Sequence, residues 1–562
     1  GIYSEKISAN NFYTKKTITN NKEDAVFIFG ANEGHMTDRK GTDRDGGQAE
    51  QTRGHENVVP IVTTFYNSIK ILNNKSFEER KNIINRYHKL IERIVLTYHS
   101  NGGIVVFPMK NDKEVNVGTN IALKSSNEQY AKNGQKFAKE LLDKLETNTV
   151  LNLNSKETME QFNKEMNELQ EKVENDKLFE GIIIKKEGIR ALHKIFDDYH
   201  KAVRESDDTF TSININSINT ILQYLGSNIK SNGTQQDADE VFTAITNLYD
   251  GKYDEDSFNS IFNTNYISKF TYTCAETQEE KESFRIDKAD RVEIESIYIK
   301  GDKNYKDYND FINKGTNESV DESKTDFKGY PACGLTVEGT NRNDTLKTSN
   351  SYIPLGNYLL FQLKIFEYDY DRKISNKIKK DEIKIKISKE ITINRKKYVL
   401  KGICYHRGTD GGTLESGHYI SVFKNGEHWY EASDHKIEKK TSAPNWESDD
   451  YKSPYLVFYR LKSFEEEFDK NKMDRIPVGL ANNGSTCFLN SVLQILVNIP
   501  EFYKRLKKLY YLVETVAPSS SLITPAPEPS TGANTDDAKE KGVATSLPIN
   551  YNSFPLLDDI DD

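Results

Sequence analysis

The stretch that most restricts how this chain can fold is GLANNGSTCFLNSVLQIL, residues 479–496. A loop of Gly and Asn runs into a segment whose apolar residues Phe488, Val492, Ile495, Leu496 and Ile499 recur at helical spacing. Such a helix needs a body to bury against, yet it stands near the end of 562 residues. The same stretch sets Cys487 in the first helical turn. A thiol attacks as the thiolate, which a helix N-terminus favours. Gly484 allows a tight approach, and Asn482 can offer its amide to an oxyanion beside the Cys487 N–H. A lone Cys at a helix start is more often inert packing, so its partners decide.

A base must come from elsewhere. Of ten histidines, His418 is best placed, in ESGHYISVFKNGEHWYEASDHKI at 415–437. It lies between a glycine and a strand, and a second strand follows. A hairpin of this kind returns Ser433 or Asp434 to its side, as a third group that orients an imidazole. The pattern leaves either residue open.

The length implies two to four domains. The net charge of −9 argues against a nucleic-acid binder held by a basic surface. No apolar run approaches the roughly 18–20 residues of a membrane helix. The opening GIYSEKISANNF has no signal-peptide core and begins without Met, as a processed product or fragment would. Four cysteines, Cys274, Cys333, Cys404 and Cys487, stand far apart without a Cys-x-x-Cys pair. That spacing favours a reducing, intracellular setting, cytoplasmic or nuclear.

Strand-like AVFIFGAN (25–32), NVVPIVTTFY (57–66) and IVVFPM (104–109) alternate with helical stretches at 79–98 and 126–145. This predicts a small α/β domain over 1–150. A connecting helix is expected over 151–179, with Met159, Phe162, Met166, Leu169 and Val173 as a stripe that packs on a neighbouring domain rather than forming a coiled coil, which wants at least three heptads. From 180 to 515 helical segments give way to strands, an α+β body. From 516 to 562 the chain is rich in Pro, Ser and Thr, and a disordered tail is expected.

Four motifs of this body together resemble the ubiquitin-specific protease family of deubiquitinases. GLANNGSTCFLNSVLQIL is similar to its Cys box. GHYISVFKNGEHWYEASDHKI with SPYLVFYR is similar to its His box and last strand. SNGTQQDADEVFTAITNLYD (231–250) matches its Gln-Gln-Asp-Ala motif, and YIPLGNYLLFQLKIFEYD (352–369) fits the return from finger to palm. The resemblance implies a papain-like thumb, a β-rich palm and extended fingers. It implies a cysteine isopeptidase that removes ubiquitin, with no cofactor. Cys487 is then the nucleophile, His418 the base and Asn482 the oxyanion donor. Gln236, Asp237, Gly417 and Tyr419 are implied to bind substrate, Asp237 through arginines of ubiquitin's tail. A ubiquitin-binding module without chemistry, or a protease for a ubiquitin-like modifier, stand as alternatives.

The chain departs from the family pattern at four places. The Gly-Asn-Thr-Cys of the Cys box is here Gly484-Ser485-Thr486-Cys487. Ser433 aligns with a third position usually held by Asp or Asn, with Asp434 next to it. The finger keeps Cys274 and Cys333, with Thr277 and Tyr330 where second thiols would be. Two thiolates do not fill a tetrahedral zinc site, so no metal is expected. The boxes run Gln-Gln-Asp-Ala, His, Cys instead of beginning with Cys. Cyclic order is kept, so either the domain is circularly permuted or Cys487 starts a truncated second copy. The 17 residues between Leu461 and Gly479 can span up to roughly 55 Å.

The N-terminal region looks like uncharacterised, largely phage-type α/β proteins and, more distantly, like macro domains that bind ADP-ribose. Its glycine-rich loop, DRKGTDRDGGQAEQTRG (38–54), has the composition to cradle a phosphate. ADP-ribose is the ligand the macro-domain resemblance implies and phosphate the one the loop suits, but loops of this kind are mostly structural and no activity is assigned.

Overall fold

The computed structural model describes residues 2–6, 15–32, 52, 54–64, 77–111, 114–117, 128–146, 155–178, 183–205, 212–213, 221–225, 236–250, 257–273, 280–301, 305–321, 345–371, 374–393, 395–408, 412–413, 417–442, 444–446, 448, 451–464, 476–482 and 484–515. They fall into two compact units, the first of Gly1–Ile182 with Gly251–Glu255 and Thr515–Asp562, the second of Ile183–Asp250 and Asp256–Glu514.

In the first unit, β1 (Ile2–Lys6), β2 (Ala25–Asn32), β3 (Val58–Thr64) and β4 (Ile104–Asn111) form a parallel sheet in the order β1-β4-β2-β3. The short β5 (Glu114–Val115) adds antiparallel to β4. Near-continuous apolar strands suit a parallel sheet because both faces are covered. Val26 and Ile28 join a core built with α2 (Phe77–Ser100), α3 (Glu128–Glu146) and α4 (Ser155–Glu174). Phe27 and Phe29, on the alternate face, pack with Ile18 of α1 (Lys15–Asn20). The stripe from Met159 to Val173 is buried in this unit, with α4 against α2. His88 of α2 is a satisfied core histidine: its Nε2 accepts the Val62 N–H at 3.0 Å, and its ring stacks on Phe137.

The second unit opens with β6 (Ile183–Ile184), α5 (Lys186–Glu205), β7 (Ser212–Ile213), α6 (Ala238–Thr246) and β8 (Tyr249–Asp250), with β6 paired to β8. A four-stranded sheet follows from β9 (Thr264–Thr273), β10 (Glu280–Ala289), β12 (Thr316–Asp321) and β13 (Thr345–Pro354), in the order β10-β9-β13-β12. Short elements lie beside it in sequence: β11 (Val292–Ile294), α7 (Ser296–Ile299) and α8 (Tyr308–Lys314). The main sheet takes β11 with β14 (Tyr358–Leu363), β17 (Glu390–Ile393), β18 (Lys396–Arg407), β19 (His418–Asn425), β20 (His428–Ser433), β21 (Lys436–Lys440) and β22 (Pro454–Leu461). Its order is β11-β14-β22-β18-β19-β20-β21, with β17 on β18. A separate ribbon pairs β15 (Phe366–Asp369) with β16 (Ile374–Lys377).

The chain then enters β23 (Gly479–Leu480), α9 (Cys487–Leu496) and α10 (Pro500–Thr515). Every residue of α9 is buried, and the helix packs on β18, β19, β20 and α6. Val492, Leu493, Leu496 and Ile499 are fully buried. Each such side chain withdrawn from water stabilises by about 1.5–3 kcal/mol. The Tyr199 hydroxyl of α5 donates to Gln494 Oε1 of α9 at 3.2 Å, and Phe502 of α10 stacks on Phe196 and Phe258. The late helices are therefore part of the body that begins at Ile183.

Candidate active site

The β19–β20 hairpin carries one half of the site. Its register, Asn425 opposite His428 and Ser421 opposite Ala432, returns the end of β20 to the start of β19. Ser433 Oγ lies 2.9 Å from His418 Nε2. Asp434 follows in the turn to β21 with φ +52, and its Oδ2 is 3.9 Å from the same nitrogen. Gly417, just before His418, has φ +132, and a Cβ there would lie 2.6 Å from the Arg407 carbonyl oxygen and 2.7 Å from the His406 ring. Only glycine fits that turn.

The Cys487 loop supplies the other half. Gly479 comes so close to the β20–β21 turn that a Cβ would sit 2.2 Å from the His435 carbonyl oxygen. The Leu480 N–H donates to the Asp434 carbonyl at 3.0 Å. Asn482 Nδ2 then donates to Asp434 Oδ2 at 3.0 Å, while its Oδ1 accepts the Thr486 N–H and hydroxyl at 3.0 and 3.1 Å. These partners settle which end of the amide faces which group, since a carboxylate only accepts and a backbone N–H only donates. Gly484 and Ser485 both take positive φ. Nothing lies where a Gly484 Cβ would be, so its contribution is conformational and not the close approach that its place in the sequence suggests.

Cys487 opens α9 and is nearly buried. Burial pushes its thiol up, and the Asp434 charge adds to this. The backbone of Tyr419, the residue after His418, opposes the shift by hydrogen bonding. Cys487 therefore lies beside the start of β19. A second thiol, Cys404 of β18, is fully buried at 3.2 Å from the Ser491 hydroxyl and pushed up to about 12 by that burial.

Asp237 caps α6, accepting the Asp239 N–H at 2.7 Å, and both its oxygens accept from the Tyr455 hydroxyl at 2.7 Å. Burial pushes this carboxyl up. Gln236 precedes it, partly buried. The Tyr419 ring meets the His406 ring edge-on and the Tyr455 ring at a tilt, so Tyr455 links the start of α6 to the start of β19. Tyr455, Asn490 and His406 were not singled out in the sequence. They join segments far apart in the chain, and no local pattern marks them.

Among the described residues no three His, Cys, Asp or Glu side chains converge as a metal set. No described helix is long and apolar enough to cross a membrane. Cys274, Thr277, Tyr330 and Cys333, almost all of the 38–54 loop and the tail 516–562 lie outside the described residues.

The second unit is an α+β body in which the Cys487 loop is brought against the His418 hairpin, and the family follows from the sequence match. The chain belongs to the ubiquitin carboxyl-terminal hydrolase family, whose model matches residues 135–459 and 478–520. Residues 8–126 match a family of unknown function, DUF7831. None of the curated proteins matches the chain. Among solved structures it is similar to the SAGA DUB module Ubp8/Sgf11/Sus1/Sgf73 bound to ubiquitin aldehyde, at 20% identity over 44% of this chain and 53% of that one, TM-score 0.31. The same module bound to monoubiquitin gives 19%, 44%, 52% and 0.31. The chain spans about half the length of these relatives.

Proposed function

We propose that the second unit is a cysteine isopeptidase that cleaves ubiquitin from conjugates, and that its domain is circularly permuted. The observation that carries the reading is the seating of the Cys487 helix against β19 inside a unit matched to the ubiquitin hydrolase family. A truncated second copy would leave the apolar face of α9 uncovered. The burial of α9 by α6 and the main sheet instead supports one rebuilt domain.

In this reading, His418 Nε2 is engaged by Ser433, which leaves Nδ1 to take the Cys487 proton. The sulfur attacks the carbonyl at ubiquitin's C-terminus. The oxyanion is held by the Cys487 N–H and by Asn482 Nδ2, which has a second hydrogen beyond the one given to Asp434. The tetrahedral species collapses to a thioester, and the departing lysine amine takes the proton from His418. Water then hydrolyses the thioester, with His418 as base. Ser433 orients the imidazole, while Asp434 orients Asn482 and stabilises the imidazolium at longer range. Asp237, Gln236, Gly417 and Tyr419 line the approach for the ubiquitin tail.

The test is turnover of a fluorogenic ubiquitin C-terminal substrate. Cys487→Ala and His418→Ala should each abolish hydrolysis while ubiquitin still binds. Turnover retained in Cys487→Ala excludes the mechanism.

A further inference from the structure

Asp434 is held by more than the groups assigned so far. Asn490, one turn beyond Cys487 on α9 and almost fully buried, donates from Nδ2 to Asp434 Oδ1 at 2.8 Å. The same nitrogen reaches the Ala481 carbonyl at 3.3 Å, beside Asn482 in the Cys loop. Both partners are acceptors, so the orientation of this carboxamide is chemically fixed. Asn490 Oδ1 is buried and has no hydrogen-bond partner among the described residues. The side chain is thus kept inside for what its nitrogen does.

Each oxygen of the Asp434 carboxylate meets one amide: Oδ1 meets Asn490, and Oδ2 meets Asn482. Without Asn490, Oδ1 would be a desolvated acceptor with its partner gone, and the carboxylate would turn to recover one. Thr486 anchors the Asn482 carboxamide at Oδ1 alone, and Asp434 is the acceptor that holds its Nδ2. Asn482 is exposed, and the loop after it passes through two positive-φ residues. The helix that presents the nucleophile therefore also fixes, through one aspartate, the amide that faces the oxyanion.

We infer that Asn490 is a positioning residue, whose carboxamide locks Asp434 so that Asp434 in turn holds Asn482 in the oxyanion hole. The inference rests on the isopeptidase reading and adds a residue to it. It places the effect in kcat, since an oxyanion forms only after substrate is bound.

The experiment uses the full chain and the fluorogenic ubiquitin substrate, with iodoacetamide alkylation of Cys487 and thermal unfolding measured alongside. Asn490→Ala should lower kcat by about 30- to 100-fold, near the loss of an oxyanion-hole donor, with KM and the alkylation rate within about threefold. Asn490→Asp, the same shape without the donor, should lose at least as much. Combining it with Asp434→Asn exchanges carboxamide and carboxylate, and should recover about tenfold over Asn490→Asp alone, since the bond is restored with its direction reversed. A folded Asn490→Ala with kcat within about threefold of the parent overturns the proposal. If that variant does not fold, the isosteric pair decides: a double variant no better than Asn490→Asp overturns it. An inactive parent, or turnover that survives Cys487→Ala, overturns the isopeptidase reading itself and is seen before any Asn490 variant is compared.

Discussion

The contacts around His418 divide labour between two adjacent residues. Ser433 touches the imidazole at 2.9 Å, whereas Asp434 lies 3.9 Å away and engages Asn482 and Asn490. Removing the hydroxyl leaves an imidazole whose Nε2 can still be solvated. Removing the carboxylate strips two amides of their acceptor and takes away the negative charge that lies nearest the imidazolium among the described contacts. Asp434→Ala should therefore cost about 100-fold or more in kcat/KM, and Ser433→Ala about tenfold. A larger loss in Ser433→Ala contradicts this division. A second prediction concerns the thiol itself. Because burial raises its pKa, Cys487 keeps its proton above the ordinary thiol value of about 8.5. Iodoacetamide alkylation of the free enzyme should still climb with pH where an ordinary thiol has already levelled off. A rate that is already level near pH 7 means that the resting enzyme holds a thiolate–imidazolium pair.

At the scale of elements, the site depends on turns that only particular residues can make. Gly417→Ala places a methyl against the Arg407 carbonyl and the His406 ring at a φ that L residues avoid. The strain is on the order of 1–3 kcal/mol. The start of β19 must shift, and turnover should fall with the melting temperature, both measured on the purified variant. An alanine variant with parental turnover shows that the turn is looser than it stands here. Much at this scale was readable beforehand. The 3.6-residue spacing of Phe488 to Ile499 marked α9, the hairpin marked the return of Ser433 and Asp434, and the α+β class and the family agree with what the motifs implied. The links between segments were not readable. The Asn490–Asp434 bond joins residues 56 apart and the Tyr455–Asp237 bonds join residues 218 apart, and a lone Asn or Tyr carries no periodic signal. The stripe of α4 announced burial, but not that its partner would be α2 of the same unit.

At the scale of the whole molecule, a permuted domain makes chain order dispensable. The passage from β22 to β23 connects two parts that are held together by packing of α9, α10 and β23. Cleavage within 465–475 should leave the C-terminal fragment bound through gel filtration, with part of the hydrolysis retained. A chain rewritten with 476–515 ahead of 183–464 should regain activity, since domain termini tolerate such exchange. Release of the fragment on cleavage contradicts the permuted arrangement and favours a stray second copy.

The most direct measurement is covalent capture by ubiquitin carrying an electrophile at its C-terminus, with the modified residue mapped by mass spectrometry. The chain has four cysteines, so the position of the adduct discriminates. One ubiquitin per chain is expected, attached at Cys487, lost in Cys487→Ala and slowed in His418→Ala. Failure to form an adduct, or an adduct at Cys274, Cys333 or Cys404 that survives Cys487→Ala, contradicts this expectation.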